Sequence, residues 1–394
     1  MNRLFIFFIM LAVFFVTGEY GITRPASQAL LITHYSSAIL PWIWLATIPF
    51  NLTAISLYNR FLSKWGPVKM LALIAGLTIV INGFSGLFTP FFPSLILFQF
   101  AWKDIYVILM LTQVWSLIHS TIPSAKAKYL YGVIYGVGTL GSVLGSLIPG
   151  FFATRLGSES LFFFTLPAYL LLFFFYRKAF LHSSFKSVDI KTHDSFSMVY
   201  RTPILLAIML LVVLMQMSVG LMEFQFNLHL EQNIVAKDLR TEYVGQMMTY
   251  VNLLSGFFQI VGSMIMIRFF GVLGSHTLIP LFLLTNAALL LFMPSFALIS
   301  FAFVFIKAVD FSLFGVMREM LYVPLKLDEK YRAKAVIDVF AYRSSKALIS
   351  LSIIGLQFFP AITILPALSV AILAIWLGTV WFFLKKHHTQ SIIS

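Results

Sequence analysis

The sequence predicts an all-α polytopic membrane protein of about twelve transmembrane helices in two six-helix pseudo-repeats. Composition, the spacing of apolar runs and the placement of Lys and Arg carry that prediction. Of 394 residues, 60% are apolar by the AVILMFWYC count and only 10% are charged, against roughly 25% in an average soluble domain. Phe alone contributes 43 residues, and mean hydropathy is +0.94. A soluble globule of this size needs a charged surface, so a soluble enzyme and a disordered chain are excluded. With no cysteine, a disulfide scaffold, thiol catalysis, Cys-ligated zinc and iron–sulfur clusters are excluded as well.

A helix needs about 20 apolar residues to cross a bilayer. The first six such stretches lie at about 4–33, 38–60, 68–88, 105–121, 129–154 and 161–176. The apolar run 94–102 is too short to span, and is expected to lie at the interface ahead of the fourth span. A polar stretch, 177–201, follows. Six more stretches lie at about 204–228, 244–269, 277–293, 296–318, 335–359 and 362–384. The organisation expected is an N-terminal half at 1–176, a cytoplasmic linker at 177–201 and a C-terminal half at 202–394. The first stretch continues through Glu19 and Arg24 without a small-residue cleavage pattern, and is too long for a signal-peptide core. A retained first helix is expected.

With both termini on one side, 19 of the 27 Lys and Arg fall on that side's loops and ends, 4 on the other and 4 inside spans. The positive-inside rule then places both termini in the cytoplasm. The same placement accounts for the net charge of +13 through topology and contact with anionic headgroups. No basic stripe with interleaved aromatics lies outside the spans, so nucleic acid is not expected as a partner. The lack of cysteine and of a transit peptide favours a bacterial inner membrane.

A sequence echo links the halves. Arg60-Phe61 is followed by Gly66 six residues after the arginine, and Arg268-Phe269 by Gly274 at the same distance. Each copy sits between the second and third span of its half. Six spans, a linker and six spans, with this echo, fit parallel repeats related by an axis along the membrane normal, a major-facilitator-like architecture. The loop Tyr58-Asn59-Arg60-Phe61-Leu62-Ser63-Lys64-Trp65-Gly66 is similar to that superfamily's basic, glycine-containing loop without its usual aspartate.

Ionisable groups inside spans are expensive, and each is a functional candidate. They are Glu19, Arg24, Glu223, Lys307, Asp310, Asp338, Arg343 and Lys346, four acids and four bases. Lys307 and Asp310 stand three apart on one face, placed to neutralise each other. Arg343 and Lys346 have the same spacing but like charge, so they need anions opposite: Glu223, Asp310 or a bound anionic substrate. Arg offers a planar donor fork for phosphate or carboxylate, and Lys a point charge. The competing reading for every one of these residues is a structural ion pair.

Polar stripes run along span 7 (Gln216, Gly220, Glu223, Asn227), span 8 (Asn252, Ser255, Gln259, Gly262), span 4 (Gln113, Ser116, Ser120) and span 5 (Tyr131, Tyr135, Thr139, Ser142). They mark either a water-filled cavity or interhelical hydrogen bonding. The glycines of span 5, from Gly132 to Gly150, point to close helix packing. His34, His119 and His229 are isolated, so no metal site is expected. No nucleophile–base arrangement is present either, and no catalytic residue or cofactor is expected.

The run Lys307-Ala308-Val309-Asp310-Phe311-Ser312-Leu313-Phe314, then Arg318-Glu319-Met320-Leu321-Tyr322-Val323-Pro324-Leu325, then Lys334-Ala335-Val336-Ile337-Asp338-Val339 with Arg343 and Lys346, resembles the ATP/ADP antiporter (nucleotide translocase) family of obligate intracellular bacteria and plastids. The match is close over about 45 residues of the sequence. The resemblance implies a major-facilitator-like fold, nucleotide exchange, and roles for Arg24, Glu223, Arg343 and Lys346. It also implies departures: where the family's nucleotide carriers have a lysine, a glutamate and a second lysine, this sequence has Trp44, Gln113 and Asp310.

The function expected is alternating-access transport of a small anionic metabolite, with nucleotide exchange or a derivative of it foremost. The alternatives are a proton-coupled carrier of a non-nucleotide metabolite, in which Glu19, Glu223 and Asp310 protonate in turn, and a non-transporting membrane scaffold. The expected substrate-binding residues are Arg24, Gln113, Glu223, Asn227, Lys307, Asp310, Arg343 and Lys346, on spans 1, 4, 7, 10 and 11. Span 5 is expected beside them. A monomer in the lipid bilayer is expected.

Overall fold

The computed structural model describes residues 2–122, 124–184, 199, 202–322, 337, 341–357 and 364–384. Helix α1 (Arg3–Tyr35) is followed by a short 3-10 turn and α2 (Leu40–Phe88). Next come α3 (Leu95–Thr121), α4 (Ser124–Leu156) and α5 (Leu161–Leu181). The second series is α6 (Pro203–Asn233), α7 (Lys237–Phe257), α8 (Ser263–Phe292), α9 (Phe296–Val309), α10 (Gly315–Leu321), α11 (Tyr342–Leu356) and α12 (Ile364–Thr379). Short π-helical turns join α7 to α8 at Phe258–Gly262 and α9 to α10 at Asp310–Phe314.

Ten described helical stretches are long and apolar enough to cross a membrane. One, Ser37–Phe88, has 52 residues. At 1.5 Å per residue that exceeds twice the roughly 30 Å hydrocarbon core, so it holds two crossings. The bend falls at Gly66, with φ 73° and ψ 169°. Gly271 has nearly the same conformation, φ 65° and ψ −175°, between spans 8 and 9. This is a backbone region almost reserved for glycine. The structural echo of Gly66 is therefore Gly271, and Gly274, the residue expected from its distance to the arginine, lies inside a helix. Counting the two arms of α2 separately gives eleven crossings among the described residues, and α11 supplies 15 described residues of the stretch expected at 335–359. The expected interfacial segment at 94–102 is instead the first part of α3, one helix from Leu95 to Thr121. Gln99, Lys103 and Asp104 interrupt its hydropathy. Gln99 is buried and donates to Asn82 Oδ1 (3.3 Å), which lets a polar residue sit inside a spanning helix.

The chain forms two compact units: Met1–Ile39 with Ala46–Asp189 and Ile234–Leu253, and Leu40–Leu45 with Ile190–Asn233 and Leu254–Ser394. In the first unit α1 is central and packs against α3, α4 and α5, burying Phe5, Ile9, Val16, Tyr106, Met110 and Tyr169. Four of the six span-5 glycines meet other elements. Gly138, Gly141 and Gly145 face α1, where a Cβ on Gly145 would collide with the Gly18 carbonyl. Gly150 faces Gly245, and Gly132 and Gly136 face open space. The segment Ile234–Leu253 is tied to the same unit. Lys237 pairs with both carboxylate oxygens of Glu159 (2.7 and 2.8 Å), Asp238 accepts from Ser158 N (2.8 Å), and Glu242 accepts from Thr154 Oγ1 (2.6 Å). In the second unit α6 is central and packs against α9, α11 and α12. Gln225 donates to Ser369 (3.0 Å) inside it.

Gly145→Val forces α1 and α4 apart, and overpacking of this kind costs roughly 1–3 kcal/mol or more. Gly136→Val adds a methyl pair to open space. In detergent melts the first variant is expected to lower Tm or fail to accumulate, while the second stays near the parent.

Candidate functional site

Helix α6 has little alternative to its fold: 31 residues, mostly Leu, Met, Val and Ile, with good helix formers throughout. It places Gln216 and Glu223 two turns apart. Helix α9 and the π turn after it place Lys307 and Asp310 alongside. Lys307 Nζ pairs with Glu223 Oε2 at 2.7 Å, and Gln216 Nε2 donates to Asp310 Oδ1 at 2.8 Å. The expected Lys307–Asp310 pairing within one helix is replaced by these two contacts across helices. A carboxylate and an amide on α6 offer each group a separate partner. The Lys307 side chain is 5% exposed and that of Glu223 20%, so the pair sits where an uncompensated charge is costly. Lys307 Nζ also lies 5.7 Å from the centroid of the Phe303 ring, which stacks on Phe226 (4.1 Å between centroids). Asn227 is buried and donates to the Glu223 carbonyl (2.7 Å).

Helix α11 carries Arg343 and Lys346 one turn apart, both half-buried. Among the described residues nothing forms a hydrogen bond or ion pair with Arg343. Lys346 Nζ lies 5.6 Å over the Trp44 ring, a geometry in which the indole face attracts the ammonium. The acids opposite are already engaged, Glu223 by Lys307 and Asp310 by Gln216. This arrangement holds positive charge on a half-buried face and can accept an anion through a guanidinium fork beside a point charge. Asp338 lies outside the described residues.

In the first unit Arg24 is half-buried, its guanidinium 6.0 Å over the Tyr20 ring. Gln113 is buried and its amide is engaged at both ends: the Tyr58 hydroxyl donates to Oε1 (3.3 Å), and Nε2 donates to the Pro67 carbonyl at the bend of α2. The polar stripes divide. Asn252 and Thr249 bond to Ser146 and Ser255 to the Ala308 carbonyl, all between helices, whereas Tyr135 is exposed and stacks on Trp115 (4.5 Å). His119 meets the Tyr131 hydroxyl (2.7 Å). Among the described residues no group of three His, Cys, Asp or Glu is placed to hold a metal ion.

Two features escaped sequence reasoning. Trp44 under Lys346 joins residues 302 apart in sequence, and an aromatic in an apolar span carries no pattern to announce such a contact. The tyrosines around Glu19 are equally silent, since Tyr106 and Tyr169 sit on different helices among 15 tyrosines.

Long apolar helices, with the Lys307–Glu223 pair set between two of them, define a multi-pass membrane protein. Its fold is the major-facilitator fold of a solved structure: the nucleoside transporter NupG superposes with a TM-score of 0.67 at 11% identity, over 98% of this chain and 99% of that one. The chain belongs to the TLC ATP/ADP transporter family, which matches residues 170–388. Relatives include ADP,ATP carrier protein 1 of Chlamydia trachomatis, 26% identical over 193 residues, and its namesake in Chlamydia muridarum, 26% identical over 198 residues. Each match covers 44% of this chain, and spans 37% and 36% of those carriers respectively.

Breaking a buried pair by removing one partner costs about 3–5 kcal/mol, because the other charge is left uncompensated. Lys307→Met is therefore expected to destabilise strongly, toward the low end because Glu223 keeps some access to water. The double variant Lys307→Met/Glu223→Met is expected to recover most of that loss, as read from thermal unfolding of the purified protein.

Proposed function

We propose that this chain exchanges nucleotide-type anions across a bacterial inner membrane, with both termini in the cytoplasm. The observation that carries this reading is the cationic face of α11. Arg343 has no hydrogen bond or ion pair among the described residues, and Lys346 stands one turn away on the same face. Membership of the ATP/ADP transporter family supports a nucleotide as the anion. Arg343 would grip phosphate oxygens through its fork and Lys346 would add charge without fixed geometry. The Glu223–Lys307 pair would act as the neighbouring switch, since an incoming phosphate competes with Glu223 for Lys307. In an exchanger the two substrates balance each other's charge, so no separate coupling ion is required.

Charge decides among nucleotides. ATP brings about four negative charges, and an anion at membrane depth needs matching positives. With Lys307 already paired and the family's expected lysines replaced by Trp44 and Asp310, ADP or a nucleoside monophosphate fits the available charge better than ATP.

A ligand at 100 times its Kd stabilises the folded protein by about 2.7 kcal/mol. ADP at saturating concentration is expected to raise Tm, and Arg343→Gln and Lys346→Gln each to remove the shift relative to the same variant without ligand. Preloaded proteoliposomes are expected to take up labelled nucleotide only against a counter-substrate. A flat thermal response to ADP, ATP and AMP in the folded protein would sink the reading.

A further inference from the structure

Glu19 lies at the centre of α1 and is 1% exposed. Its Oε2 is 2.6 Å from the Tyr169 hydroxyl of α5, 3.0 Å from the Tyr106 hydroxyl of α3 and 3.3 Å from the Thr23 hydroxyl. The two tyrosine oxygens are 2.9 Å from each other. Glu19 Oε2, Tyr169 Oη and Tyr106 Oη therefore form a closed triangle in which every side is a hydrogen-bond distance. Three sides need three hydrogens, and each phenol supplies one. With Glu19 ionised, one side has two oxygen lone pairs facing each other and no hydrogen between them. With Glu19 protonated, each oxygen donates once and accepts once around the ring. Thr23 cannot fill the gap, because its hydroxyl lies outside the triangle and its hydrogen falls on none of the three sides. Asn82 Nδ2 also donates to Tyr169 Oη (3.0 Å), which gives that oxygen a further donor and no hydrogen to the ring.

The second carboxyl oxygen points the same way. Glu19 Oε1 is buried without a hydrogen-bond partner. A carboxylate would place part of its charge on an oxygen that nothing solvates, whereas a neutral acid leaves there an ordinary carbonyl. Helix α4 presents glycines and serines to this part of α1, with Gly21 against Ser142 and Ser146. On α3, Lys103 and Asp104 lie a turn before Tyr106 and face each other at 3.6 Å. On α1, Arg24 is five residues on and lies over Tyr20. No ion pair to Glu19 exists among the described residues.

We propose that Glu19 is a proton-binding site of the first unit, a carboxylic acid whose proton completes the hydroxyl ring joining α1, α3 and α5. The ligand is a proton, and the site is separate from the cationic face of α11.

Infrared difference spectroscopy reads the protonation state directly. The parent spectrum at pH 7 minus that of Glu19→Gln is expected to show the carbonyl stretch of a protonated carboxyl, shifted on exchange into heavy water. Carboxylate stretches in that difference, with no acid band, would overturn the proposal. Glu223 and Asp310 are other sources of an acid band, and Glu19→Gln could fail to fold, so a second variant assigns it. Tyr169→Phe keeps Glu19 and removes its closest ring partner. The acid band is expected to move to higher frequency in that variant, and a band that stays in place would refute the assignment to Glu19.

Discussion

A bilayer offers no water to a charge at mid-depth, and that constraint organises both units. Each ionisable group inside a span has to be neutralised by a partner, a proton or a ligand. The Lys307–Glu223 pair is the first solution, an ion pair between α9 and α6 at 2.7 Å. Asp310 takes the second, a charge-assisted hydrogen bond from Gln216. Glu19, ringed by hydroxyls and without an ion pair among the described residues, takes the third. Arg343 has none of these among the described residues, and the proposed anion site on α11 rests on that.

The same constraint shapes the packing. Without a hydrophobic drive between helices in lipid, association rests on close contact and interhelical hydrogen bonds. The first unit uses both. Gly141 and Gly145 let α4 lie against the backbone of α1, while Asn82, Gln99, Thr165 and Tyr169 form a buried polar chain beside it. The second unit combines aromatic stacking, as in Phe226 on Phe303, with polar ties such as Gln225 to Ser369.

Family membership narrows the chemistry while the substitutions qualify it. The resemblance located a charged helix, loop and helix, and the structure places Glu223, Lys307 and Asp310 together, with Arg343 and Lys346 on one helix beside Trp44. A tryptophan where a family carrier has lysine changes the local chemistry from an added charge to an aromatic face that holds a neighbouring charge. Gln113, where a glutamate is expected, has become a tie between α3 and the bend of α2 rather than an ion.

Composition and periodicity determined the number of spans, because a crossing helix needs a long apolar run and little else can supply one. They also singled out the ionisable residues, since a charge in such a run is rare enough to be conspicuous. Pairing was beyond their reach. Lys307 and Asp310 share a helix face and read as partners, yet each found a closer one on α6, because side chains from another helix are invisible to one-helix spacing. The run 94–102 read as too short to span, because a helix with Gln99 and Lys103 inside it is apolar only once neighbours have satisfied those groups. The bend glycine also moved from Gly274 to Gly271, since a positive φ depends on where the chain must turn rather than on its distance from an arginine. Only the tertiary structure could bring Tyr106, Tyr169 and Glu19 within hydrogen-bond distance, because that ring is assembled from three helices whose apolar patterns are alike.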